Sequence, residues 1–213
     1  MAVVKGRGIA FEFAATYGTA INVTAVTLAN PAVATATAHG QANNTVGYFN
    51  NVSGMVQLEG QAVRVKNQAT NTFELQGLNT TAYSAFTAGQ FIPVATWHTL
   101  AEATSYSIGG GEAEKLDATT LIDVVKQEEA GLLAPQSLTL NILAQDTPST
   151  AMAALQSLAQ SGAKMVFRVR LPNGAVRIGY GEPSLPGEDV QRGQLGTGTL
   201  SVTLKGVVLQ LAP

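Results

Sequence analysis

Hydrophobic and polar positions alternate over short stretches along most of this chain, and a period of two is the signature of half-buried strands. Ile9, Phe11 and Phe13 alternate with Ala10 and Glu12. Between residues 22 and 94, brief alternating runs are cut by turn residues. Val23, Val26 and Leu28 lead to Asn30-Pro31, residues 33–37 to His39-Gly40, Val63 and Val65 to Asn67, and Phe73 and Leu75 to Gly77. Short strands at such spacing predict a small all-β barrel or sandwich. Trp97, Leu100 and Ile108 predict one further strand. Leu138, Leu140 and Ile142 alternate with Ser137, Thr139 and Asn141, giving a strand with one apolar and one polar face. Met165, Phe167, Val169 and Leu171 then run into Pro172-Asn173-Gly174, a turn signal, and Val176, Ile178 and Tyr180 return. In the last strand, residues 199–211, the apolar positions change parity from Leu200, Val202 and Leu204 to Val207, Leu209 and Leu211. Gly206 therefore marks a bulge or bend.

One stretch has a helical period. Met152, Leu155, Leu158 and Ala159 fall on one face, Thr147 suits the cap, Pro148 the first turn and Gly162 the stop, so a helix is predicted over 148–161. A second departure lies between 108 and 136. Gly109-Gly110-Gly111 opens an acidic segment with neither period, which predicts a long exposed arm entering a sheet. Long ordered loops in compact domains are usually functional. The elements together predict an α+β, mostly β chain, with antiparallel sheets and a single amphipathic helix. Residues 1–21 and 95–213 form its core domain, and residues 22–94 form an inserted small β-barrel.

Composition adds one constraint. Charged residues make up 12% of the chain, against about a quarter in ordinary domains, which fits a surface covered by neighbouring copies. A net charge of −2 argues against a general electrostatic grip on nucleic acid. Without Cys there are no disulfides, thiolate metal sites or Cys nucleophiles. Neither a signal peptide nor a bilayer-length apolar run is read, so a soluble chain made in the cytoplasm, without membrane contact, is expected.

Searching for chemistry yields little. His39 and His98 lack carboxylates at ligand spacing and read as turn and strand residues. The triple glycine lacks the Lys-Ser/Thr of a phosphate loop, and no G-x-S-x-G elbow occurs. No catalytic residue, cofactor or metal is expected. Arg168, Arg170 and Arg177 are read as sharing the polar face of the hairpin, a basic strip without the aromatics that stack bases. Glu112, Glu114, Asp117, Asp123, Glu128 and Glu129 make the arm acidic. Acidic arm and basic strip on identical copies can meet head to tail, and such contacts close into rings when the rotation allows.

Several stretches resemble a known family. Glu114-Lys115-Leu116-Asp117-Ala118-Thr119-Thr120-Leu121, Gly131, the strand 137–142, Asp146, Ala154-Leu155, Phe167-Arg168-Val169 and Leu171-Pro172-Asn173-Gly174 resemble the major tail tube proteins of long-tailed bacteriophages. Segment 22–94, through Asn30-Pro31-Ala32-Val33, Ala38-His39-Gly40, Val52-Ser53-Gly54-Met55, Phe73-Glu74-Leu75 and Asn79-Thr80-Thr81-Ala82-Tyr83, is similar to a β-barrel module of phage virion proteins. That module is named after a catalytic-half domain of ubiquitin-activating enzymes; its usual central Asn-Gly is Glu59-Gly60 here, and no catalytic Cys exists.

The resemblance implies a structural subunit with a β-sandwich or partial-barrel core, forming homohexameric rings that stack into a hollow, non-contractile tube. Its implied partners are a tape-measure protein, tail terminator and distal tail proteins, and double-stranded DNA in passage. Assembly in the host cytoplasm and residence in the virion tail follow. Leu116, Thr119, Thr120 and Leu121 join the acidic residues as arm contacts, and Ser137, Thr139 and Asn141 are lumen candidates. The inserted module is expected to decorate the outside, and its deletion to leave a core able to polymerise. Charge reversal at Glu114 or Asp117 is expected to block ring stacking more than folding. The alternative is a surface decoration or carbohydrate-binding adhesin, with Tyr48, Phe49, Tyr83 and Phe86 stacking on sugars.

Overall fold

The computed structural model describes residues 8–122 and 124–213. Strand β1 (Ala10–Tyr17) is followed by β2 (Ile21–Val23), β3 (Ala25–Val26), β4 (Ala32–Thr35), β5 (Val46–Ser53), β6 (Ala62–Lys66) and β7 (Thr72–Leu75). The long β8 (Ala88–Thr99) and β9 (Ala103–Gly110) precede the arm strands β10 (Ala113–Asp117) and β11 (Glu128–Leu133). Then come β12 (Gln136–Leu143), helix α1 (Thr150–Ser161), β13 (Met165–Arg170), β14 (Val176–Pro183), β15 (Gly187–Asp189) and β16 (Thr197–Leu211). The mostly β, antiparallel architecture with one helix is the predicted fold class.

All but the arm strands belong to one 14-stranded antiparallel sheet, ordered β3-β4-β7-β6-β5-β8-β1-β13-β14-β16-β12-β9 with β2 on β8 and β15 on β16. Consecutive strands β2 and β3 pair at opposite ends of the row from β3 to β8, so this part of the sheet closes on itself. Inside it lie Phe49, Val63, Val65, Phe73, Leu75 and Phe91. The remaining strands curl round a second cluster. Phe11, Phe13, Phe167 and Val169 come from one wall, Leu138, Leu140, Leu200 and Val202 from the other, and Met152 and Leu155 of α1 fill between.

The two clusters share the β13–β14–β16 wall. Its inner face serves the helix side, while Val166, Val176, Ile178, Leu209 and Leu211 on its outer face pack into the first cluster. Polar contacts complete this seam. Gln61 Nε2 donates to the Val207 carbonyl at 2.9 Å, and the Val207 N–H donates to Gln61 Oε1 at 3.0 Å. Arg64, buried, donates to Gln76 Oε1 at 2.6 Å and to the Ala212 carbonyl at 2.7 Å. Tyr48 stacks on Tyr180 with centroids 4.4 Å apart, and Tyr17 accepts the Val166 N–H at 3.0 Å. Burial pushes the Tyr17 hydroxyl up to about 12.

Several local expectations change. The helix is capped by Ser149, whose hydroxyl accepts from Met152 N at 3.1 Å, so neither Thr147 nor Pro148 takes the predicted role; Gly162 ends it as expected, in the left-handed region. The single strand through Trp97, Leu100 and Ile108 is two, because the chain turns at Leu100–Glu102 between β8 and β9. Strand β1 is covered on both faces, so Glu12 is as buried as Phe11. Gly206, at φ +80°, sits in the bulge where the β14–β16 register shifts, and an added Cβ would lie 2.6 Å from Gln61 Oε1. Beyond it Leu209 and Leu211 change clusters as the parity shift predicted, whereas Val207 is exposed.

Candidate functional site

The arm leaves the sheet through Gly110 and Gly111, both at positive φ (+83° and +79°), an angle that favours glycine. It is a β-hairpin of its own rather than a structureless loop. Asp117 pairs with Glu128, Leu116 with Glu129, and Ala113 with Leu133. At its end Asp117 accepts the Thr119 N–H at 3.0 Å, the Thr119 hydroxyl accepts from Gln127 N at 3.0 Å, and Ala118 N donates to the Gln127 carbonyl at 3.0 Å. The Thr119 bonds hold the Asp117 carboxyl below its ordinary value, and Lys126 and Lys115 do the same for Glu128, at 3.0 and 3.1 Å. Asp117 and Glu128 thus organise the hairpin, while Glu112, Glu114, Glu129 and Thr120 are exposed along it. Asp123 lies outside the described residues.

The side chains at the tip are apolar. Leu121 and Val124 are fully exposed, Ile122 nearly so and Val125 largely so, and Leu132 near the base of the hairpin is exposed as well. Together with half-exposed Leu116 they make the arm the largest concentration of exposed aliphatic side chains among the described residues. Such a patch marks a contact surface. Leu116 and Leu121 are arm contacts by the resemblance already; Ile122, Val124, Val125 and Leu132 were not singled out, and the signal for the tip was Leu121-Ile122 and Val124-Val125 following Thr119-Thr120.

The lumen candidates are brought together with neighbours that the sequence did not single out. Thr139 lies opposite Ser107 on one side and Ser201 on the other, Asn141 opposite Ser105 and Thr199, and Ser137 opposite Gly109 and Thr203. Asn141 Nδ2 donates to Ser105 Oγ at 2.8 Å, and Ser184 and Ser201 hydroxyls are 3.0 Å apart. None of these residues is charged. They lie on the outer face of β16, β12 and β9, and on β16 the row runs into Lys205, whose Nζ is 3.7 Å from Glu59, with Glu182 opposite Thr203.

The three arginines are not brought together. Arg168 lies opposite Ile178, whereas Arg177 lies opposite Val169, so Arg177 is on the other face of the hairpin. Two strands in antiparallel register put directly opposed residues on one face, and the alternation counted by sequence was one residue out of step across the turn. Arg168 and Arg170 grip the buried Glu12 at 2.5 and 2.7 Å, and Arg168 covers the Trp97 ring at 4.0 Å. This is a fold-internal ion-pair cluster rather than a free basic strip.

The residues weighed for other roles are also placed. His39 is buried, with Nδ1 accepting from Gln41 N at 3.0 Å and its ring against Phe73. Phe49 is wholly buried and Tyr48 is stacked on Tyr180, so neither offers a face to a sugar; Tyr83 and Phe86 pack against the same cluster. No group of three or more acidic or His side chains suited to a metal occurs among the described residues.

A family model described as phage tail tube protein, TTP, matches residues 53–207. The matched span runs from within the first cluster through the arm, the hydroxyl-bearing wall and the helix to the β16 bulge. No curated protein matches the chain.

Proposed function

The chain belongs to the phage tail tube protein family, and from that premise we propose that its copies close into six-membered rings that stack into the hollow tail tube. It is a structural component of the virion tail. The apolar hairpin tip carries this reading: Leu121, Ile122, Val124 and Val125 are held out in solvent by a well-bonded hairpin, an arrangement that gains stability only when a neighbour covers it. The arm reaches the adjacent ring, with Leu116, Thr119, Thr120 and Leu121 at the contact and Glu112, Glu114, Asp117, Asp123, Glu128 and Glu129 around it.

The row of Ser105, Ser107, Ser137, Thr139, Asn141, Thr199, Ser201 and Thr203 lines the channel in this reading. Neutral hydroxyls release no counterions from DNA and therefore do not hold it, which suits a conduit. Segment 22–94, packed on the β13–β14 side of the sheet, faces outward as a decoration. A tape-measure protein fills the channel during assembly in the host cytoplasm, and terminator and distal tail proteins cap the ends.

Negative-stain electron microscopy of the purified chain at rising concentration tests the proposal. Hollow tubes or stacked rings of uniform width are expected. Discrete monomers or trimers under every condition would contradict it and favour a surface decoration protein.

A further inference from the structure

At the N-terminal end of α1 lies a cavity of about 100 Å³ lined by Glu102, Gln145, Ser149, Met152, Gln156 and Glu188, among others. Glu102, in the turn between β8 and β9, is only 5% exposed. Its Oε2 has no hydrogen-bond partner among the described residues, while its backbone carbonyl accepts from Leu143 N at 2.9 Å and so fixes the turn. A buried carboxylate without a partner is costly unless something supplies the missing charge. Ser149 is committed to capping Met152 N, and the first turn of α1 carries no acidic residue. The two ionisable side chains that line the cavity, Glu102 and Glu188, are both acidic. The cavity's size suits a single cationic head group, being well short of the several hundred Å³ of a typical small-molecule site.

We propose that this cavity receives an arm lysine, Lys115 or Lys126, from a second copy of the chain, with Glu102 as its counter-charge. The inference rests on the tube reading above. The arm is the element that reaches a neighbour in that reading, and Lys115 and Lys126 are its cations. Arg168 and Arg170 are engaged with Glu12, Lys205 with Glu59, and Arg64 with Gln76 and Ala212, while Lys66, Lys164, Arg177 and Arg192 lie outside the arm. Lys115 and Lys126 instead share the single carboxylate of Glu128, with 78% and 63% of their side chains exposed. Exposed pairs of that kind contribute little, so one lysine can leave Glu128 with a partner and still serve a neighbour. An isolated pair of carboxylates also satisfies a lysine better than it satisfies a metal ion.

Glu102→Gln keeps the shape and removes the charge. Its critical concentration for tube assembly is expected to rise tenfold or more, while the melting temperature of the unassembled chain stays level or increases. Lys115→Met with Lys126→Met should reproduce the loss, and adding Glu102→Gln to that pair should cause little further loss, because both remove the same contact. Assembly of Glu102→Gln at the wild-type concentration, or additive losses in the triple variant, overturns the proposal. Should Glu102→Gln not fold, Glu188→Gln, at an exposed site, is expected to raise the critical concentration at least threefold, and an unchanged value overturns the proposal equally. EDTA should leave wild-type assembly intact; loss of tubes in EDTA replaces the lysine by a divalent cation. Wild-type protein that never assembles overturns the tube reading itself and the second-copy occupant with it.

Discussion

The seam between the two hydrophobic clusters and the arm hairpin are built from the same materials, aliphatic side chains on antiparallel strands, and end in opposite states. At the seam, Val176, Ile178, Leu209 and Leu211 are covered by residues of the 22–94 segment, and Gln61, Arg64 and Tyr17 close the remaining polar groups. On the arm, Leu121, Ile122, Val124 and Val125 are covered by nothing in their own copy among the described residues. The seam is finished within one chain, whereas the arm, in the reading proposed above, is finished by another. On that reading the difference separates residues that determine whether the monomer folds from residues that determine whether it assembles.

Deleting residues 22–94 is the harshest way to break that comparison. It removes the cover from the outer face of the β13–β14–β16 wall and half of β8. The shared cluster changes the expectation drawn from sequence: the shortened chain should be insoluble or molten, with near-ultraviolet circular dichroism lost. A soluble, cooperatively melting product would show that the wall stands without its cover.

Glu12→Ala comes next. It leaves Arg168 and Arg170 without their shared carboxylate, and breaking a buried ion pair costs about 3–5 kcal/mol, towards the lower end here because Arg170 is half exposed. Chemical denaturation measures it. Arg64→Ala should cost about 2 kcal/mol, since Gln76 and the Ala212 carbonyl lose a charged donor. Both losses should appear equally in monomer and assembly.

On the other side of the comparison, Leu121→Asp with Val124→Asp should change monomer stability by less than about 0.5 kcal/mol, as exposed substitutions do, while abolishing assembly. The smallest effect concerns pH. Asp117 and Glu128 have depressed folded-state values, so their contribution to arm order is present above their ordinary carboxylate range and lost as pH falls through the lowered values. Amide exchange at Thr119 should therefore quicken below about pH 4 with the sheet still protected.

Much of this was legible in the sequence where one face of an element decides its pattern. The two-faced strand around Leu138 and Thr139, the amphipathic helix, the Pro172-Asn173-Gly174 turn and the Gly206 bulge all follow from local periodicity, and the structure has them. What local pattern does not carry is the partner across space. Glu12 looked solvent-facing because two arginines more than 150 residues away bury it. Arg177 was grouped with Arg168 because register across the turn shifts the alternation by one. The alternating run at residues 33–37 did not show its inward face, which is made by the small side chains Ala32, Ala34 and Ala36. The arm was legible as an arm, and its acidic side chains drew attention from its apolar tip. Its hairpin pairing went unseen because Ala113–Asp117 and Glu128–Leu133 are rich in residues without strand preference.

Sedimentation velocity of the wild-type chain beside Leu121→Asp/Val124→Asp, at matched concentrations, tests the central claim most directly. Fast, polydisperse boundaries from wild-type tubes, and a single slow boundary from an equally stable variant, are the predicted result. Wild-type protein that sediments as a monomer throughout, or a variant that assembles as readily as wild type, would contradict an assembly built on the arm.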